Sequence, residues 1–132
     1  MIQPLPPGST IGILGGGQLG RMLAMAAAQI GYRCHVYAPE GRAVAADVCE
    51  TRTTAAFEDE AALGRFADAC DILTYEFENV PTAPLKALGL ADKVRPGIPA
   101  LDIAQSRIAE KNFFSDLGAR PAPFAWVEHD AT

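Results

Sequence analysis

Residues Ile11 to Met22 read IGILGGGQLGRM, an apolar run broken by three consecutive glycines and followed by a helix-forming segment. Ile11, Ile13 and Leu14 have the character of a buried parallel strand. Beyond Leu19, RMLAMAAAQI is dense in Ala, Leu and Met, the strongest helix formers. Gly15, Gly16 and Gly17 therefore predict a tight strand-to-helix turn. Such a turn leaves amide N–H groups and the positive end of the helix dipole facing outward, so an anion, phosphate or carboxylate, is expected on it.

Gly15, Gly17 and Gly20 satisfy the spacing G-x-G-x-x-G, whose commonest setting is a dinucleotide-binding βαβ unit. That setting also asks for an acidic residue about 20 residues on, at the end of the second strand, to hold the ribose hydroxyls. In HVYAPEG the place falls on Tyr37 or Ala38, and Glu40 lies past a proline. The glycines alone leave three readings open: a dinucleotide, another phosphate-bearing ligand, or a purely structural turn. Gln18 offers only hydrogen bonds, which suit a phosphate or a hydroxyl, and Arg21 either neutralises an anion on the turn or points to water.

Along the chain the pattern alternates between strand and helix. Gly31 is a helix stop, and Tyr32–Tyr37 is a second strand, which completes a right-handed βαβ unit. Pro39 to Asp47 holds one helical turn, and Val48–Thr53 is a short third strand. Asp59 is placed as the N-cap of a helix whose apolar face is Ala62, Leu63, Phe66 and Ala69. Asp71 to Tyr75 is a central strand running into Glu76-Phe77-Glu78-Asn79. Pro81 and Pro84 bracket the entry to a short helix with Leu85 and Leu88, and Lys93–Pro96 is a brief edge strand. Ala100–Leu117 is helical with an interruption near Gln105-Ser106, Gly118 closes it, and Phe124–Val127 looks like the opening of a new strand with no partner in this chain. The expected fold is α/β, an open, mostly parallel Rossmann-like sheet of four or five strands with helices on both faces.

With 132 residues the chain has the length of one ordinary domain. No apolar run approaches the roughly 20 residues of a membrane span, and no signal peptide is visible, so the cytoplasm is the expected setting. The net charge is -5 and the 11 basic residues are scattered, which argues against a nucleic-acid surface. Cys34, Cys49 and Cys70 lack C-x-x-C spacing and read as reduced, mostly buried thiols. His35 and His129 are too far apart in sequence for a metal pair, so no metal site is expected from this chain.

Glu76 and Glu78 are one residue apart, so in an extended segment their carboxylates point to one side, about 7 Å from each other, and can hold an amine or imidazole nitrogen. The bland alternative is a solvated pair at a strand end. Arg107 and Lys111 share a helix face at i, i+4 and are surface charges by default.

Taken together, GGGQLGRML, TYEFENVP and QSRIAEKNFFSDLGARPAPF resemble the N-terminal region of the 5-(carboxyamino)imidazole ribonucleotide synthases, purine-biosynthesis ligases of the ATP-grasp superfamily. The resemblance implies a pre-ATP-grasp domain over residues 1–118 and an exit segment over 119–132 that leads to an ATP-grasp domain. It implies a reaction in which ATP activates bicarbonate as carboxyphosphate and the exocyclic amine of 5-aminoimidazole ribonucleotide takes up the carboxylate. Magnesium ligands and the ATP clamp are expected outside this chain, no catalytic residue within it, and a homodimer for the whole enzyme.

By position, Gln18 and Leu19, with Gly17 before them, match the turn that holds the ribonucleotide. Glu76 matches an acid that contacts it, and Glu78 the second acid of the same E-x-E. Arg107 matches an arginine assigned to ATP, while Lys111 is expected to be structural. Two departures stand out: Gly16 replaces varied small residues, and Ser106 stands where Asp often precedes the arginine. The competing expectations are an NAD(P)-binding oxidoreductase module and a non-catalytic regulator on the same fold.

Overall fold

In the computed structural model, which describes residues 4–127, four parallel strands form one sheet in the order β3-β2-β1-β4. They are β1 (Thr10–Leu14), β2 (Arg33–Ala38), β3 (Thr51–Thr54) and β4 (Ile72–Tyr75). Five α-helices accompany them: α1 (Gln18–Gln29), α2 (Glu60–Asp68), α3 (Thr82–Ala87), α4 (Ile98–Ala104) and α5 (Arg107–Asp116). β1 pairs with β2 from Thr10↔Arg33 to Leu14↔Tyr37 and with β4 from Ile11↔Ile72 to Leu14↔Tyr75. The strand that carries the glycine turn is therefore flanked on both sides, and the C-terminal ends of β1, β2 and β4 lie together.

The period of two along each strand divides the apolar side chains between two layers. Leu14, Tyr37 and Leu73 face α2, α3 and α4, where Leu63, Phe66, Leu85, Ile98 and Leu101 complete a buried core. Ile13 and Cys34 face Ala24 and Ala27 of α1 on the other side. Phe66 is the hub of the larger layer: its ring meets His35 edge-on at 4.8 Å and Tyr37 at 5.1 Å. His35 bonds Thr53 Oγ1 at 2.8 Å through Nε2, and burial lowers its pKa, which favours the neutral ring.

Local chemistry accounts for most boundaries. Asp59 caps α2 by accepting from Ala62 N at 2.9 Å, and Gly31 follows α1 at φ +86, a conformation only glycine adopts without strain. Val44–Asp47 makes the single helical turn expected there, as a 3-10 segment. Lys86 and Thr82 both bond Asp102, which joins α3 to α4 and holds the Asp102 carboxyl below its ordinary pKa.

Several expectations need correction. The third strand starts at Thr51 rather than Val48. The edge strand Lys93–Pro96 reduces to one parallel bridge between Leu73 and Val94, because the chain bends at Arg95-Pro96 and enters α4 at Ile98. Ala69 is the exposed C-cap of α2 rather than part of its buried face. The helix expected from Ala100 starts at Ile98, while the interruption expected near Gln105-Ser106 is present, dividing it into α4 and α5 where Ser106 turns extended (φ -121, ψ 110).

Phe124–Val127 forms no strand, since no neighbouring strand offers it hydrogen bonds; it is exposed and passes α5, with Lys111 Nζ 5.1 Å above the Phe124 ring. His129 and the end of the exit segment lie outside the described residues.

Two outcomes follow from the packing. Phe66→Ala should cost about 3–5 kcal/mol in urea unfolding, as expected for deleting a fully enclosed ring; a loss below about 1 kcal/mol would contradict the layer described. Burial pushes the thiols of Cys49 and Cys70 up to about 11 and about 12. Folding therefore holds on to thiol protons that the unfolded chain releases. Stability should accordingly decline as pH rises from about 9, and a disulfide reagent at pH 8 should label these thiols far more slowly in buffer than in urea.

Candidate functional site

The glycine turn is built around a side chain from another strand. β1 ends at Leu14, and Gly15, at φ +111, donates to the carbonyl of Tyr37 at 2.8 Å. Gly17 is the N-cap of α1 and has no side chain with which to satisfy the helix amides. Glu76, the first residue after β4, supplies the acceptors: its carboxylate takes hydrogen bonds from the amides of Gly17 and Gly20. The anion expected on the turn is thus in part internal, a carboxylate seated at the positive end of α1.

The spacing of the glycines follows from that carboxylate. A Cβ at Gly15 would lie 2.5 Å from Glu76 Cγ, at Gly17 2.7 Å from Oε1, and at Gly20 2.9 Å from Oε2. All three positions of G-x-G-x-x-G are bare because Glu76 fills the space. Gly16 is bare for a different reason, since a Cβ there would collide with Ala43. The amides of Gln18 and Leu19 take part in no hydrogen bond among the described residues, and both side chains are exposed. With the amide of Gly16, which also has no hydrogen-bond partner among the described residues, these N–H groups are what the turn still offers a ligand.

Beside the turn, at the C-terminal edge of the sheet, lies an open cavity of about 380 Å³. Gly15–Gly17 and Glu76 form its floor, Phe57 and Phe77 one wall, and Glu40 and Arg42, from the loop after β2, the lip. The rings of Phe57 and Phe77 are 6.2 Å apart, and Phe57 stacks on Tyr37 at 5.7 Å. An apolar wall beside amide donors suits a flat ring attached to an anionic group. The loop after β2 is fastened to the turn by Ala45 N donating to Gly16 O at 3.0 Å. Arg21 serves the same attachment: it donates to Val44 O at 3.1 Å and pairs with Asp47 at 3.5 Å, so it neither covers the turn nor points freely to water.

Glu76 and Glu78 do not form a same-side pair. Pairing of β4 ends at Tyr75, the chain bends at Glu76-Phe77 and turns at Glu78-Asn79, and alternation holds only in extended backbone. Glu78 instead lines a second, polar concavity of about 400 Å³ together with Asn79, Gln105, Arg107 and Glu110. Arg107, whose side chain is 79% exposed, donates to Glu110 at 2.5 Å. Ser106 caps α5 by accepting from Ala109 N at 3.3 Å, so the residue standing where Asp is common still makes the cap. Lys111 donates to Ala122 O at 3.4 Å, a contact between α5 and the exit segment.

Glu40, Arg42, Phe57, Phe77 and Glu110 were not anticipated at these sites. Only the Arg107–Glu110 pair left a trace in the sequence, as i, i+3 spacing. The expected cost of Glu76→Ala, which strips two helix amides of their acceptor, is about 1–3 kcal/mol, read as a lower urea midpoint at unchanged slope.

The family model of the ribonucleotide synthetase pre-ATP-grasp domain matches residues 8–105. Over 128 residues the chain is 47% identical to the N5-carboxyaminoimidazole ribonucleotide synthase of Brucella melitensis, covering 97% of this chain and 35% of that one. The structure of N5-carboxyaminoimidazole synthetase from Staphylococcus aureus complexed with ADP superposes with a TM-score of 0.87 at 36% identity, covering 96% of this chain and 34% of that one. The synthase from Aspergillus clavatus, solved with ADP and 5-aminoimidazole ribonucleotide, superposes with a TM-score of 0.73 at 28% identity, covering 84% of this chain and 30% of that one. The chain spans about a third of the length of these three relatives. With the matched region running from before β1 to the end of α4, the chain belongs to the ribonucleotide synthetase pre-ATP-grasp domain family.

Proposed function

We propose that this chain is the ribonucleotide-binding domain of an ATP-dependent ligase that carboxylates 5-aminoimidazole ribonucleotide with bicarbonate, a step of purine biosynthesis. The observation that carries this reading is the cavity at the ligand edge of the sheet, where the glycine turn Gly15–Gly17 meets the aromatic wall of Phe57 and Phe77, with the open amides of Gln18 and Leu19 next in the chain. The relative from Aspergillus clavatus was solved with that ribonucleotide and ADP, which supports the choice of ligand.

In this reading Gln18 and Leu19 hold the ribose phosphate end. Phe57 and Phe77 border the imidazole, and Gly17 and Glu76 keep the turn in shape. Glu76 lines the floor of the cavity as well as capping α1, so it acts on the substrate as a positioning residue. The second concavity takes the nucleotide: Arg107 stands exposed on its rim, where a triphosphate competes with Glu110 for the guanidinium. When bound, ATP supplies the phosphoryl group that activates bicarbonate. The described residues contain no cluster of three or more His, Cys, Asp or Glu able to hold a metal, so the magnesium of this reading is assigned to the other two thirds of the family enzymes. The resemblance extends the proposal to a homodimer in the cytoplasm.

The competing dinucleotide reading meets a physical obstacle. A pyrophosphate needs the inner amides of the turn, and Glu76 occupies those of Gly17 and Gly20. β2 also ends at Ala38 without an acid.

A chimera tests the activity. With residues 4–127 replacing the matching segment of the Brucella melitensis synthase, ADP release should depend on both the ribonucleotide and bicarbonate, at a rate within about tenfold of the parent. Calorimetric titration of the chain itself should show heat with 5-aminoimidazole ribonucleotide and none with NAD. Tight NAD binding without a ribonucleotide response would defeat the reading.

A further inference from the structure

We propose that the outer flank of α1 is a self-association surface, on which a second copy of this chain lays its own α1 antiparallel to the first. The inference stands apart from the ligand reading. It goes beyond the homodimer that the resemblance implies, because it names the surface and the way two copies meet on it.

A parallel sheet is ordinarily covered on both faces, and here one face is covered only in part. Ile11 and Ile13 of β1 are register partners of Ile72 and Thr74 of β4, so all four lie on the face that carries α1. α1 packs on β1, β2 and the 3-10 turn Val44–Asp47. Beside it, over β4, an apolar groove of about 250 Å³ stays open, lined by Ile11, Leu23, Ala27, Ile72, Thr74 and Arg95. Leu73, on the opposite face of the same strand, is fully enclosed.

α1 itself is apolar on nearly every side. Gly20, Ala24 and Ala27 are buried toward the protein, yet Leu19 (59%), Met22 (57%), Leu23 (42%), Met25 (49%) and Ile30 (67%) are exposed. By contrast, α2 turns Glu60, Arg65 and Asp68 to the surface. The one charged residue of α1, Arg21, is committed to Val44 O and Asp47. A helix apolar all round belongs in an interior, and a contiguous apolar patch marks an interaction site.

An uncharged apolar helix fits this face, and α1 is its own match. Leu19, Leu23, Ala26 and Ile30 follow one another at the alternating four- and three-residue steps of a helix-pair seam. The series of steps reads the same in both directions. A two-fold axis therefore sets Leu19 of one copy against Ile30 of the other, and Leu23 against Ala26, twice over. Large side chains then meet small ones, and the exposed Ala26 lets the helix axes approach closely. A chain of net charge -5 repels its own copy over most of its surface, whereas no like charges meet across this seam.

Area sets the strength. The 12 residues of α1 span about 18 Å, and with the groove they offer on the order of 400 Å² of apolar contact, less than the roughly 800 Å² per partner of a standard complex. The dimer should accordingly be reversible, with a Kd of about 10–100 μM.

Sedimentation equilibrium of the chain tests this, with mass rising from the 14.0 kDa of one copy toward twice that value over this concentration range. L23E and A26K should each weaken association at least tenfold, and an equimolar mixture of the two should restore it, because each Glu then faces a Lys. Both variants should keep the parent's urea midpoint at low concentration, since both positions are exposed. A parent that stays at the mass of one copy up to about 1 mM overturns the proposal and leaves the face to another segment or partner. Association that neither variant weakens, or a mixture that restores nothing, overturns it as well. None of these outcomes bears on ribonucleotide binding, which the titration above decides separately.

Discussion

The carboxylate of Glu76, bonded to the amides of Gly17 and Gly20, joins the end of β4 to the start of α1, and the shape of the ligand edge depends on that junction. A helix that begins on glycines has donors and no local acceptor, so it needs a cap from elsewhere. The parallel pairing of β1 with β4 puts one within reach, because Leu14 and Tyr75 are register partners and Glu76 is the next residue. Cap, bare glycines and strand order are thus mutually dependent. Replacing any of the three glycines with a larger residue would push Glu76 out, and removing Glu76 would leave the glycines with space and unsatisfied amides.

This arrangement changes what the glycine motif means chemically. In a dinucleotide fold the same spacing clears room for a pyrophosphate. Here it clears room for a side chain of the protein, and what stays open are the amides of Gly16, Gln18 and Leu19 and the aromatic-walled space that Gly16 borders. Electrostatics at the turn is therefore a balance among a helix dipole, one internal carboxylate and the charged lip of the loop after β2. Divergence of Glu76 and Glu78 into two concavities separates a site beside the turn from a polar one bordered by α5. Under the function proposed above, these two concavities serve as neighbouring subsites.

Much of the fold was legible because its signals are local. Ile13 and Leu14, the Ala-rich run of α1, Asp59 at a cap and Gly31 at a stop all act within a few residues, and each is where the pattern placed it. The misplacements came where local propensity was not the deciding force. Lys93–Pro96 has strand-like residues, yet only Val94 bridges, since the chain bends away at Arg95-Pro96 to enter α4. Phe124–Val127 has strand composition and, as expected, no partner strand among the described residues, so it has nowhere to place strand hydrogen bonds and stays irregular.

By itself the sequence determined the alternation of strands and helices, the tight glycine turn after β1, the need for an anion at the head of α1 and, through three motifs, the family. Those properties come from backbone preference and short-range spacing, which the order of residues encodes directly. Only the tertiary structure decided which anion meets the inner amides, that Glu76 and Glu78 part company, that Arg21 is spent on Val44 and Asp47, and that Arg42 stands over the cavity. Each of these depends on segments far apart in the chain arriving at one edge of a sheet. Strand order and the bend after β4 set that arrival, and neither is carried by residues near the ones they bring together.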